Sequence, residues 1–218
     1  MKKELKKRII TSIILIAIVL NCLFINNYSW LILLTTVAII CWFEFASLSI
    51  KIWRNKFQII LINLLSFSYL YIFTYSAYKT KIYAGEIIIL FYLLVCIFSD
   101  IGGYVIGKSI GGKKLTKISP KKTISGSIGS FFFSLFPIGI YSVLSNFIHN
   151  ISLNNEIIFI CLILSLMCQI GDLIISYFKR KAKVKDIGNI LPGHGGMLDR
   201  IDGIIFAIPT LYIINHVI

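Results

Sequence analysis

Charged side chains are scarce in this sequence. Asp, Glu, Lys and Arg together make up 14% of the 218 residues and only nine residues are acidic, whereas 57% are hydrophobic. Soluble globular domains carry roughly 25% charged residues. Because the apolar residues also fall in long blocks instead of narrow stripes, the composition excludes an ordinary soluble domain and indicates an integral membrane protein.

Cysteine spacing and the absence of linkers exclude further classes. No two cysteines show metal-ligand spacing, so the sequence predicts neither a disulfide framework nor a zinc site. No internal repeat and no long Pro- or Ser-rich linker divides the chain, which predicts a single integral membrane domain over residues 1–218. We interpret the five cysteines as small buried hydrophobic residues, because all lie within apolar runs: Cys22, Cys41, Cys96, Cys161 and Cys168.

Seven apolar runs predict an all-α polytopic membrane protein. Most runs are close to the roughly 20 residues that a helix needs to cross a bilayer. The first follows the basic segment KKELKKR but lacks a signal-peptide cleavage site, so we expect it to be retained as a span. Six or eight spans are alternatives, because the last run is short and Asn63 interrupts the third. The runs are Ile9–Ile25, Trp30–Ile50, Ile59–Ala77, Ile87–Ile106, Ile128–Phe147, Ile157–Phe178 and Ile204–Ile218.

Lys and Arg residues are distributed unevenly between the loops. Five precede the first run, three lie between the second and third, six between the fourth and fifth, and six between the sixth and seventh; only Lys79 and Lys81 lie in the other loops. Positively charged loops are retained in the cytoplasm during insertion. The pattern therefore predicts a cytoplasmic N-terminus, an outward C-terminus and two long basic cytoplasmic loops, Lys108–Gly126 and Lys179–Gly203.

The formal net charge of +13 belongs mostly to this one membrane face. Anionic lipid headgroups or anionic soluble substrates would be attracted there. The basic residues are spread over four segments next to the membrane and do not form one groove with interleaved aromatic residues. Nucleic acid is therefore not an expected partner.

Four of the nine acidic residues lie at or near the cytoplasmic ends of predicted spans. Asp199 and Asp202 begin an apolar helix and project to similar faces, as two oxygen ligands of a hard cation would. The alternative for either residue is helix capping. A buried Asp172 would need a partner, either a metal shared with this pair or an ion pair with Lys179 or Arg180. The four residues are Asp100, Asp172, Asp199 and Asp202.

The first long loop is rich in glycine and lysine, reading IGGYVIGKSIGGKK and then ISPKKTISGSIGS. Glycines let a backbone approach a ligand closely, and lysines offset phosphate charge. The alternative is that these glycines pack helices and the lysines only set orientation. The P-loop spacing is absent. Together with the carboxylates, this composition suits a site for a polyphosphate, its metal ions and a lipid phosphate, which indicates phosphoryl or nucleotidyl transfer.

Glu44 is an acidic outlier in the first half of the chain. It lies in the sequence WFEF inside the second apolar run. An intramembrane carboxylate is either a functional group or a protonated or hydrogen-bonded contact to a neighbouring helix. The sequence leaves both interpretations open.

The segment Ser176–Asp202 resembles the signature of the phosphatidate cytidylyltransferase (CDP-diacylglycerol synthase) family. This signature spans 27 residues. An upstream segment resembles the second polar motif of the same family through Asp100, Gly107, Ser119, Pro120, Lys122, Thr123 and Gly126, with Ser125 where the family commonly has Glu. The signature residues that match are Ser176, Lys179, Arg180, Lys185, Asp186, Pro192, His194, Gly195, Gly196, Asp199, Arg200 and Asp202.

The resemblance implies transfer of CMP from CTP to phosphatidic acid, which gives CDP-diacylglycerol and pyrophosphate, by a catalytic region at 100–203. It implies a two-cation centre with at least one Mg²⁺, ligated by Asp172, Asp199 and Asp202. The implied catalytic residues are these three aspartates with Arg200 and His194. The implied substrate-binding residues are Asp100, Ser119, Lys121, Lys122, Thr123, Ser176, Lys179, Arg180, Lys185, Asp186, Gly195 and Gly196.

Two other functions compete with this one. A CTP-dependent polyprenol or phytol kinase would use a similar site but release CDP. A membrane transporter would place charges along a path through the bilayer, whereas these collect at one face. The resemblance implies a bacterial-type cytoplasmic (inner) membrane, an active site facing the cytoplasm, and CTP, phosphatidic acid and membrane lipid as partners. A homodimer is compatible with the sequence, but no residue identifies an interface.

Overall fold

The computed structural model describes the backbone of residues 2–148 and 155–217 and the side chains of residues 5–142 and 156–214. Over this part of the chain the structure is helical, with two isolated β-bridges and no strand, so the predicted all-α fold is confirmed. The helices are α1 (Lys2–Ile25), α2 (Asn27–Ile52), α3 (Lys56–Ala84), α4 (Glu86–Ile110), α5 (Ile124–Phe133), α6 (Phe136–Ile148), α7 (Asn155–Lys181) and α8 (Leu198–Val217).

Six stretches of the described chain are long and apolar enough to cross a membrane. They coincide with the first six predicted runs, and the fifth is formed by α5 and α6 with a short turn between them. The seventh predicted run forms most of α8, which is not among the six. The protein is thus an integral membrane protein. The stretches are Leu5–Ile25, Asn27–Ile52, Lys56–Ala84, Glu86–Ile110, Ile124–Ser142 and Glu156–Lys181.

The chain divides into two compact units, each built from segments that are distant in sequence. The first unit contains residues 1–86 and 177–202, and the second contains residues 87–176 and 203–218. In the first unit α2 packs along α3 and against α1. The single integral membrane domain over residues 1–218 stays a prediction.

Polar residues inside the first unit are paired across its helices. Asn63, which interrupts the third apolar run, donates from its amide to Ser49 of α2 at 3.0 Å. Lys81 is buried and donates to the backbone carbonyl of Asn26 at 2.9 Å. Buried polar groups need such partners because their desolvation is costly. One of the two lysines outside the predicted cytoplasmic loops therefore has a structural role in the turn between α1 and α2.

The core of the second unit joins α4, α6, α7 and α8. It contains Cys96, Cys161 and Cys168 together with larger side chains such as Phe91 and Leu164. Cys41 is also buried and Cys22 is half-buried, and none of the five cysteines forms a disulfide. Small apolar side chains are suited to such closely packed positions. The interpretation of the cysteines as hydrophobic residues is confirmed for the four buried ones.

Helices α4 and α5 approach each other closely at glycines. A Cβ atom on Gly129 would lie 2.5 Å from Cβ of Ile106 and 2.9 Å from the carbonyl oxygen of Gly102. No real side chain tolerates these separations. For these two glycines, helix packing therefore accounts for the residue type.

Gly129→Ala is expected to lower the free energy of unfolding by about 1–3 kcal/mol, because the added methyl group overpacks this crossing. The measurement is thermal unfolding of the detergent-solubilised protein. Gly139→Ala in α6 is the matched control, since a Cβ there meets no atom within 4 Å. Equal unfolding temperatures for the two variants would contradict the packing argument.

Candidate functional site

A pocket of about 340 Å³ lies within the second unit. Its walls come from the end of α4, the loop that follows, the start of α5 and the middle of α7. Six of the predicted catalytic, metal-ligating or substrate-binding residues line this one pocket, although they are spread over more than 70 positions of the chain: Asp100, Ser119, Lys121, Lys122, Thr123 and Asp172.

The loop between α4 and α5 folds back on itself, which brings its lysines to the pocket. Gly111 and Gly112 have φ angles of 64° and 105°, a region that glycine adopts without strain. The backbone then pairs antiparallel, with Leu115 N–H donating to the carbonyl of Lys122 at 2.8 Å. Thr123 ends the loop and caps α5, since its hydroxyl accepts from Gly126 N–H at 3.1 Å.

Ser125 has a structural contact of its own in this loop. Its hydroxyl donates to the carbonyl oxygen of Gly111 and lies 3.0 Å from the hydroxyl of Thr123. A carboxylate is only an acceptor and would face that carbonyl unfavourably. Serine at this position therefore suits the local fold of this chain.

Lys122 and Asp172 form an ion pair in the pocket. The lysine Nζ lies 2.5 Å from Oδ2 of Asp172, and Ser176 donates to Oδ1 of the same carboxylate at 3.4 Å. The sequence predicted a metal or an ion pair with Lys179 or Arg180 as the partner of Asp172. The ion pair is formed with Lys122 instead, and the metal stays a prediction. Because both side chains are partly exposed, at 26% and 32%, solvent and ligands can reach the pair.

A chain of hydrogen bonds runs from this pocket into the core of the second unit. Ser127 donates to Oε1 of Gln169 at 2.5 Å, and Gln169 donates to Ser165 at 3.3 Å. Ser165 is in turn 2.8 Å from Ser99. The sequence analysis missed Gln169; the signal was its position three residues before Asp172, which places both on one helix face.

Asp199 organises the loop between α7 and α8, residues 182–197, which is termed the signature loop. Its Oδ1 accepts from Nζ of Lys179 at 2.8 Å. Its Oδ2 accepts from the backbone N–H groups of Ile187 at 2.8 Å and Gly196 at 3.3 Å. Asp199 lies in the first turn of α8, where the helix dipole favours a carboxylate, but both of these N–H donors come before the helix, so its carboxylate does not cap α8. The carboxylate is only 5% exposed and carries its own cationic partner.

The PGHGG turn of the signature loop contacts α1. Its bend requires φ angles of 77° at Gly193 and 85° at Gly195. Thr11 donates to the carbonyl of Pro192 at 3.0 Å, and the hydroxyl of Ser12 lies 3.2 Å from Nε2 of His194. The sequence did not predict these two contacts, because Thr and Ser hydroxyl groups in a membrane helix can also bond to the backbone of their own helix.

His194 also has a contact to Arg200 and one unpaired nitrogen. Arg200 donates from Nε to the carbonyl oxygen of His194 at 3.0 Å and from Nη2 to the same oxygen at 2.5 Å. The buried Nδ1 atom of His194 has no hydrogen-bond partner among the described residues. This guanidinium therefore fixes the turn backbone, and the imidazole keeps one free polar atom.

Glu44 of α2 is buried at 5% exposure. Its two carboxylate oxygens accept hydrogen bonds from the backbone N–H groups of Met197 at 3.0 Å and Leu198 at 2.8 Å, at the start of α8. Of the two interpretations left open by the sequence, the hydrogen-bonded contact to a neighbouring helix is confirmed.

The predicted site residues fall into two sets, one in each unit. Among the described residues, neither unit contains a group of three or more His, Cys, Asp or Glu side chains that could hold a metal ion. The two-cation centre therefore stays a prediction. The second unit holds Asp100, Ser119, Lys121, Lys122, Thr123, Asp172 and Ser176. The first unit holds Lys179, Arg180, Lys185, Asp186, His194, Gly195, Gly196, Asp199, Arg200 and Asp202.

Residues 50–218 match the model of a family described as the cytidylyltransferase family. The chain belongs to this cytidylyltransferase family. A phosphatidate cytidylyltransferase of Rickettsia bellii (strain RML369-C) is 46% identical over 132 residues, which cover 59% of this chain and 57% of that protein. A phosphatidate cytidylyltransferase of Bacillus subtilis (strain 168) is 45% identical over 126 residues, which cover 56% of this chain and 45% of that protein. The chain thus spans about half the length of the curated relatives it matches.

The cytidylyltransferase match covers both polar motifs but not the start of the chain. It begins at residue 50, at the end of α2. Thr11, Ser12 and Glu44 lie outside it, yet all three contact the signature loop or the start of α8. Helices α1 and α2 therefore support a family motif from outside the matched region.

Proposed function

We propose that this protein is a phosphatidate cytidylyltransferase, which transfers CMP from CTP to phosphatidic acid and releases pyrophosphate. The observation that carries the proposal is the pocket of the second unit, where Lys121, Lys122 and Asp172 meet in a member of the cytidylyltransferase family. A polyphosphate site needs cationic side chains, and metal-assisted phosphoryl chemistry needs carboxylates. The names of the relatives are consistent with this reaction.

In the proposed reaction a phosphate oxygen of phosphatidic acid attacks the α-phosphorus of CTP. A new P–O bond forms while the bond from the α-phosphorus to the bridging oxygen breaks, and pyrophosphate leaves with its electron pair. Lys121 and Lys122 neutralise phosphate charge in the pocket. The N-terminus of α5, next to Thr123, adds backbone N–H groups and a favourable dipole. No protein nucleophile is required.

Mg²⁺ is the proposed cofactor, in a two-cation centre with Asp172, Asp199 and Asp202 as ligands. Asp172 fits this role because its carboxylate is partly exposed, shares a pocket with Asp100 and already faces a positive charge, the Lys122 ammonium at 2.5 Å. Asp199 likewise faces an ammonium group. Bound Mg²⁺ would neutralise charge on the attacking and leaving phosphate oxygens.

We also propose that the pocket and the signature loop face the cytoplasm from a bacterial inner membrane. Both adjoin the long basic segments that the distribution of Lys and Arg assigns to that side. A surface of this charge favours anionic soluble and lipid substrates at the same place. The homodimer stays a prediction.

The proposal is tested with the purified, detergent-solubilised protein, phosphatidic acid, Mg²⁺ and CTP labelled at either the α- or the γ-phosphate. We expect α-label in the lipid, γ-label in pyrophosphate, equal amounts of both products, and no product in EDTA. Transfer of the γ-label to a lipid alcohol would assign the protein to the lipid kinases instead. Absence of any turnover by folded protein would contradict the proposal.

Lys122→Ala is expected to raise the KM for CTP by about tenfold to a hundredfold, because a hydrogen bond to a charged group is lost. The measurement is the initial rate against CTP concentration at saturating phosphatidic acid. Lys117→Ala is the matched control, since Lys117 is in the same loop but does not line the pocket. An unchanged KM for CTP in Lys122→Ala would remove this lysine from nucleotide binding.

A further inference from the structure

The start of α8 has no cap from its own sequence. The first N–H groups of any helix lack partners within the helix and carry a partial positive charge. Helix α8 begins at Leu198, and the residue before it, Met197, has no side-chain oxygen to accept a hydrogen bond. Glu44, which lies 153 residues before Met197 and 154 before Leu198, supplies the missing acceptors, with one carboxylate oxygen on the N–H group of each of these two residues.

The signature loop is shaped to admit this carboxylate. A Cβ atom on Gly188 would lie 2.5 Å from Oε1 of Glu44, and one on Gly196 would lie 2.9 Å from both carboxylate oxygens. Any larger residue at either position would displace Glu44 from the start of α8. Two glycines of the loop are therefore explained by the approach of a side chain from α2.

Two carboxylates hold the signature loop at adjacent points. Asp199 accepts from Gly196 N–H, and Glu44 accepts from the N–H groups of the next two residues. Asp199 and Arg200 follow directly in the first turn of α8. A shift of this turn would move both side chains together.

We propose that Glu44 is a positioning residue for the cytidylyl transfer reaction. It fixes the first turn of α8, and through this turn the carboxylate of Asp199 and the guanidinium of Arg200, without itself touching a substrate. The inference rests on the proposed function, because it assigns Glu44 a role in the rate of that reaction. The contact between α2 and α8 is independent of that function.

Glu44→Gln separates the charge of this side chain from its size. An amide keeps one acceptor oxygen but turns its NH₂ group towards one of the two backbone N–H donors. Loss of a hydrogen bond to a charged group changes an equilibrium constant by a factor of about ten to a hundred. We expect hydrogen exchange at Met197 and Leu198 to accelerate by this factor and kcat to fall by a similar one, with a KM for CTP within about threefold of the wild type.

Gly188→Ala provides a second route to the same test, because it displaces Glu44 by contact and keeps its charge. We expect the same faster exchange and lower kcat. Glu156→Gln is the matched control for both, since Glu156 is an exposed acidic residue in the first turn of α7. Hydrogen exchange is measured by mass spectrometry on peptides that cover residues 187–200.

The two readouts separate the possible failures. Wild-type exchange in both variants, or faster exchange with wild-type kcat, would overturn the positioning role of Glu44. A wild-type protein that makes no CDP-diacylglycerol would overturn the proposed function, whereas exchange would still report whether Glu44 holds the start of α8. If Glu44→Gln fails to fold, Gly188→Ala decides the question alone.

Discussion

Asp199→Asn is expected to lower the rate of CDP-diacylglycerol formation by about a hundredfold to a thousandfold, the loss typical of removing one preorganised electrostatic group from an active site. The substitution removes the charge of a proposed Mg²⁺ ligand. It also leaves Lys179 without its partner at 2.8 Å and can turn an NH₂ group towards the N–H donors of Ile187 and Gly196. The measurement is kcat at saturating CTP, phosphatidic acid and Mg²⁺.

A loss of stability would lower activity for a different reason, and a double variant separates the two effects. Breaking a buried ion pair is costly, but removing both charges together is often nearly neutral. Lys179→Met combined with Asp199→Asn should therefore recover much of the unfolding temperature and none of the activity. Recovery of activity in the double variant, or near-normal kcat in Asp199→Asn alone, would assign Asp199 to loop structure only.

The second large effect is expected for Asp172→Asn. This substitution removes the negative charge from the pocket of the second unit and leaves the ammonium of Lys122 uncompensated. We expect kcat to fall by about a hundredfold or more and the Mg²⁺ concentration that gives half-maximal activity to rise by about tenfold or more. Activity is titrated with Mg²⁺ at fixed CTP, with Glu156→Gln as the control on the same helix.

The Mg²⁺ titration decides what Asp172 does. A proposed metal ligand changes the dependence on Mg²⁺, whereas a residue that only orients Lys122 changes the dependence on CTP. An unchanged Mg²⁺ titration with a raised KM for CTP would therefore leave Asp172 as the partner of Lys122. The proposed metal site would then lose this ligand.

Much of the fold was predictable because its determinants are local. Each apolar run is long enough to form a helix by itself, and the capping residue Thr123 and the glycines of the PGHGG turn act within a few positions of where they stand. The residues from Ser119 to Thr123 reach one pocket partly because they are neighbours in sequence. Such features follow from spacing alone.

The long-range pairings were not predictable for a physical reason. A helix in a membrane is apolar on the side that faces lipid as well as on the side that packs, so no stripe shows which faces meet. The contact of Glu44 with Leu198 and the pair of Lys122 with Asp172 both depend on such packing. From the sequence, Glu44 lies inside the second run, Asp172 near the end of the sixth and Lys122 in the first long loop, but nothing in the sequence matches these residues to their partners.

The ion pair of Lys122 and Asp172 has a thermodynamic consequence for the proposed reaction. In the pair each charge satisfies the other, so a cation entering alone competes with the lysine and a phosphate entering alone competes with the aspartate. If the proposed nucleotide and metal ion entered together, the lysine would pair with phosphate and the aspartate with the cation, and no charge would be left unpaired. Each ligand would thereby increase the affinity for the other, so the proposed function predicts cooperative binding of the nucleotide and its metal.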